Sequence, residues 1–105
     1  MMLTRFLTAL LFILPSCASA QEQGEAKPGL IYAEKMCAEC HIVRPEGGPS
    51  PNPLAKSFKS IANRPGMTAM AIGVWMQSTH ETMPMIVPKP EDLNDVIVYI
   101  ISLKE

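Results

Sequence analysis

The feature that most limits what this chain can fold into is the run Cys37-Ala38-Glu39-Cys40-His41. The sequence has 105 residues and three cysteines, and the remaining one, Cys17, sits in a leading segment of quite different character. Two thiols separated by two residues, with an imidazole directly after them, form a cross-link of some kind. The choices are a disulfide, a metal site or the anchor of a prosthetic group.

The leading segment, MMLTRFLTALLFILPSCASA, decides which cysteines belong to the folded chain. Arg5 gives it a positive start, Phe6 to Leu14 is apolar and uncharged, and Ala18-Ser19-Ala20 is a small-x-small cleavage site before Gln21. This is the pattern of a secretory signal peptide. The apolar run is well short of the roughly 20 residues that a spanning helix requires, which ranks a retained membrane anchor lower. Lipid attachment at Cys17 ranks lower still, because Pro15 fits a lipoprotein processing box poorly. The expected organisation is a signal peptide over 1–20, a flexible polar leader over 21–28 and one folded domain over 29–105. Cys17 leaves with the signal, and only the close pair remains.

Without Arg5 the chain carries eight Lys and Arg against ten Asp and Glu, a formal charge of −2. That balance gives no reason to expect nucleic acid or an anionic membrane surface as a partner. A domain this short buries little apolar area by itself and usually draws on a disulfide, metal or cofactor.

Cys-x-x-Cys-His is the attachment signal of a c-type haem. Two thiols on one helical turn and the following loop reach two vinyl groups on one porphyrin edge, and the adjacent imidazole serves the iron. The competing uses fit less well. A dithiol redox pair calls for a thioredoxin-like βαβ pattern, which is missing. A structural zinc needs four ligands. Cys37, Cys40, His41 and the other histidine, His80, are nominal candidates, but adjacent Cys40 and His41 are hard to aim at one tetrahedral ion. A plain disulfide leaves His41 without a role.

The rest of the chain reads as helices and loops. Pro28 is able to open a helix, with Leu30, Ala33 and Cys37 at helical spacing. Arg44 to Pro53 holds four prolines and two glycines in ten residues, which excludes a helix or central strand. A short helix is expected over Leu54 to Ala62, with Leu54, Phe58 and Ile61 on one face. Another is expected over Thr68 to Gln77, with Thr68 as N-cap and Ile72, Trp75 and Met76 on one face. A loop over His80 to Pro88 contains Met83-Pro84-Met85. The last segment, Pro90 to Lys104, has proline and two acids at its start. Its run Val96 to Ile101 is apolar and β-branched, so propensity alone favours a strand, and periodicity leaves helix and strand open.

With these residues in hand, the chain from about Gly29 to Leu103 resembles a single-domain class I cytochrome c. Cys37, Cys40 and His41 match the family's attachment motif and proximal ligand. Gly29, eight residues before Cys37, matches the glycine where the N- and C-terminal helices cross. Val98-Tyr99-Ile100 matches the aromatic stretch of the last helix, and the resemblance makes that segment a helix. It also implies a methionine sulfur as second axial ligand, commonly followed by proline. Met83-Pro84 fits, with Met85 and His80 as alternatives. Met36, Met67, Met70 and Met76 are read as flexible core filling. The imidazole needs an acceptor for its other nitrogen; in the family this is a proline carbonyl, here Pro49, Pro51 or Pro53, with Pro51 favoured. Two departures stand out. Ala33 occupies the place of an aromatic, with Tyr32 beside it, and Lys89 replaces a serine or threonine before the last helix.

The expectation is therefore an all-α cytochrome c fold, about four helices around one covalently bound haem c. Cys37 and Cys40 tether the haem, and His41 and Met83 ligate its iron. The implied function is one-electron transfer between redox proteins in the periplasm, not catalysis. The alternatives are a haem c subunit of a periplasmic dehydrogenase or oxidase, and a small haem peroxidase. Trp75 and Tyr99 are read as packing or pocket residues. Lys35, Lys56 and Lys59 are read as solvated surface charges before any docking role.

Overall fold

The computed structural model describes residues 24–78, 83–84 and 86–105. Four helices follow in order: α1 (Ala26–Met36), α2 (Phe58–Ala62), α3 (Ala69–Met76) and α4 (Pro90–Ser102). Among the described residues there is no strand, and no helix is long and apolar enough to cross a membrane. The expected all-α architecture is the observed one. The signal segment, His80 and Met85 lie outside the described residues.

α4 is the hub. It packs against each of the other three helices, most extensively against α1, while α1, α2 and α3 make no comparable contact with one another. The run Val96 to Ile101 is helical, and its buried residues Val96, Tyr99 and Ile100 fall at i, i+3 and i+4. Pro90 in the first turn and Glu91 and Asp92 beside it start the helix as expected. End signals and tertiary packing override the strand propensity of the β-branched residues.

The α1–α4 contact is backbone against backbone. A Cβ placed on Gly29 would lie 2.0 Å from the Asp95 carbonyl oxygen and 2.8 Å from the Tyr99 Cβ. Only glycine permits that approach. The Asp95 carboxylate also accepts the Glu25 N–H at 2.9 Å, so α4 caps the start of α1. α1 begins at Ala26, two residues before Pro28. Pro28 still falls among the first-turn positions whose N–H has no helical partner.

α2 is shorter than expected and starts at Phe58, where Ser57 Oγ accepts from the Ser60 N–H at 3.1 Å. Leu54 is not on this helix and is 76% exposed. The Asn52 carboxamide oxygen accepts the Leu54 N–H at 3.0 Å, and the Asn52 carbonyl accepts the Ala55 N–H. This local turn outcompetes the helical periodicity. α3 starts as expected behind Thr68, whose Oγ1 accepts from the Ala71 N–H at 3.1 Å.

The core is small: Ala33, Val43, Phe58, Ala62, Met67, Ile72, Val96, Tyr99 and Ile100. Of the four methionines read as core filling, only Met67 is buried, with Met76 packed against the core. Met36 is largely exposed and Met70 is 80% exposed. For Met70 the reason lies in α3, which has no charged or amide side chain yet buries only the Ile72 side.

Candidate functional site

Because α1, α2 and α3 lean on α4 without meeting one another, their inner faces enclose a cleft of about 280 Å³. All four helices contribute walls: Tyr32 and Met36 from α1, Phe58 and Ile61 from α2, Ile72, Trp75 and Met76 from α3, Val96 and Ile100 from α4. The lining is predominantly apolar, and Cys37, Cys40, His41 and Met83 all belong to it. The four residues that the sequence singled out thus come together on one surface, and Pro84 joins them.

Local structure places the cysteines. α1 ends at Met36, and the Cys37 N–H still donates to the Ala33 carbonyl at 2.8 Å. The Cys37 carbonyl then accepts from both the Cys40 N–H at 3.1 Å and the His41 N–H at 2.9 Å. This overlapping turn keeps the motif compact against the end of α1. The two thiols are half-buried and not joined to each other. Burial pushes the Cys37 thiol up to about 11, so it is protonated at neutral pH.

The imidazole of His41 is fixed by its other nitrogen. Nδ1 lies 2.6 Å from the Lys56 carbonyl oxygen. A carbonyl can only accept, so Nδ1 carries the hydrogen, and in the neutral ring Nε2 holds the lone pair. The acceptor is therefore Lys56, not Pro49, Pro51 or Pro53. Pro49 and Pro51 line a separate shallow hollow on the Val43–Arg44 side. The chain from Asn52 to Ala55 is folded into the turn already described, which brings the Lys56 carbonyl to the ring. The Phe58 ring packs on the imidazole with centroids 5.3 Å apart, and the Tyr99 ring lies 6.5 Å from Phe58.

The charged residues on the cleft lining are Glu39, Lys56 and Arg64. No side-chain polar atom among the described residues is buried without a partner. Tyr32, on the cleft wall, has its phenol raised by burial, then by Cys37 and Asp92. Lys56 and Arg64 reach the cleft rim, while Lys59 is paired with Glu105 at 2.7 Å. On the far side Arg44 pairs with Glu34. Trp75 is half-exposed and spans from cleft to surface. Sequence reasoning missed the Lys56 carbonyl, and no side-chain signal could have revealed a main-chain acceptor.

Two thiols, an imidazole whose tautomer is set and a thioether thus share one mainly apolar lining, a donor set that suits a large apolar group carrying a metal. No family model matches the chain. No solved structure matches it significantly. Among curated proteins it is similar to a cytochrome c-552 of Bradyrhizobium diazoefficiens, 27% identical over 95 residues, which covers 90% of this chain and 90% of the relative.

Proposed function

We propose that this chain is an exported one-electron carrier holding a single c-type haem, tethered by Cys37 and Cys40 and ligated by His41 and Met83. The observation that carries the reading is the apolar cleft that collects these four residues, with the His41 Nδ1 already committed to Lys56. The similarity to a protein named cytochrome c-552 over most of both lengths supports it. The haem, when bound, supplies an iron that accepts and returns one electron.

The chain's own residues set the conditions for that exchange. Cys37 and Cys40 keep the group in place although the core around it is small. The Lys56 carbonyl holds the His41 ring in one tautomer and leaves Nε2 as donor to the metal. Met83 offers a soft thioether, and a histidine–methionine pair raises the potential and suits electron transfer over substrate chemistry. The apolar walls from all four helices limit water around the group. Residues 1–20 act as a signal peptide and deliver the chain to the periplasm, where its partners are redox proteins.

Mass spectrometry of the protein purified after export tests this directly. The expected mass is that of the chain from Gln21 plus one haem, with the haem retained in acid-acetone. C37A and C40A together should remove that added mass. An unmodified chain, or a mass that includes residues 1–20, contradicts the corresponding part of the reading.

A further inference from the structure

Three consecutive residues of the segment carrying His41 are each tied to a different group. The His41 imidazole donates to the Lys56 carbonyl at 2.6 Å. The Ile42 carbonyl accepts from the Phe58 N–H at 3.0 Å. The Val43 carbonyl accepts from the Tyr99 hydroxyl at 2.5 Å. The first two partners are main-chain groups of one short stretch, so they shift together with it. The third comes from α4, 56 residues further along the chain.

Tyr99 is well placed to hold that third point. Its root is fixed at the helix crossing, where a Cβ on residue 29 would stand only 2.8 Å from the Tyr99 Cβ, so that glycine alone allows the approach. Its tip holds the carbonyl two residues beyond His41. Val43 and Tyr99 are each 5% exposed, so water does not readily replace the hydroxyl if it is lost. The Phe58 ring contacts both His41 and Tyr99 and gives a second, side-chain route between them.

We propose that Tyr99 is a positioning residue for His41, carrying the geometry of the α1–α4 crossing to the imidazole through the main chain of residues 41–43. The inference rests on His41 being the haem ligand, as proposed above. Tyr99 is not itself among the residues that line the cleft. It acts by restraining the chain that presents the ring.

Y99F in the haem-loaded protein removes the hydroxyl alone. The expected result is full haem content, changed hyperfine-shifted resonances of the His41 ring in the ferric state, and roughly tenfold faster hydrogen exchange at the Phe58 amide, the loss of about one net hydrogen bond's worth of protection. S102A is the control. It removes the Ser102 Oγ bond to the Tyr99 carbonyl, 2.5 Å long, on the same helix. It should lower thermal stability while leaving His41 and Phe58 at wild-type values. Y99F with wild-type His41 resonances and wild-type Phe58 exchange overturns the proposal, whatever its stability. If Y99F fails to retain haem, Y99H decides: it too should change the His41 resonances and speed Phe58 exchange, and wild-type values for both overturn the proposal. A wild-type protein with no hyperfine shift on His41 refutes the ligation reading instead, while the Phe58 exchange result still judges the restraint by Tyr99.

Discussion

The two sides of α4 are built on opposite terms. On one side α1 crosses it so closely that only glycine fits at position 29, and the Asp95 carboxylate caps the neighbouring helix. That contact is complete within the chain. On the other side α2 and α3 touch α4 but not each other, and together with the end of α1 they line an apolar cleft, with half-exposed Met36 of α1 and Trp75 of α3 on it. One side of α4 is closed by direct helix contact, and the other is left as an open apolar cleft. Tyr99 belongs to both sides, with its root at the crossing and its hydroxyl on the His41 segment.

Withholding the haem should separate the two sides most strongly. C37A/C40A should lose cooperative thermal unfolding by circular dichroism, since the cleft side has little core of its own. An unchanged transition means that the crossing alone holds the fold. Next in size is the crossing itself. G29A drives a methyl into the Asp95 carbonyl and should cost about 3 kcal/mol in urea unfolding; a cost near zero would mean that the helices separate freely. V96A hollows the fully buried residue that also lines the cleft, and should cost about 2 kcal/mol.

A smaller effect concerns alkaline pH. The Tyr99 phenol is raised first by burial and then by Glu46, with Arg44 opposing and Glu34 adding. The neutral phenol is thus the form the folded state favours. Its contribution to stability is whole below the ordinary tyrosine value of about 10 and is lost as pH rises through the higher folded value. Thermal midpoints of Y99F should fall less steeply above about pH 10 than those of the wild type, and parallel curves contradict this. A slope remains in both from Tyr32, which is also raised. Smallest is L54S, at the exposed turn, which should change stability by less than about 0.5 kcal/mol.

Much of this division was legible in the sequence, for physical reasons that differ by residue. Gly29 and Tyr99 were placed by resemblance; the close approach explains the glycine, and the hydroxyl bond to the Val43 carbonyl gives the tyrosine its use. Pro90, Glu91 and Asp92 marked a helix start that the β-branched run behind them obscured. Thr68 announced α3 through a local cap, a short-range signal. Leu54 misled because its spacing matched a helix face, whereas the Asn52 side chain captures its N–H first. Met70 misled because an all-apolar helix gives no sign of which side is buried. The Lys56 carbonyl and the Val43 carbonyl were illegible for a simpler reason. Every residue has a carbonyl, and only tertiary structure decides which one meets a histidine or a tyrosine.

The central claim is that the cleft joins Cys37, Cys40, His41 and Met83 around one haem, and the ferric and ferrous absorption spectra of wild type, M83A and M85A test it most directly. The account predicts a covalent haem c in all three, with the ferric sulfur-to-iron charge-transfer band kept in M85A and abolished in M83A. A band that survives M83A and disappears in M85A, or a purified protein with no haem spectrum at all, would contradict it.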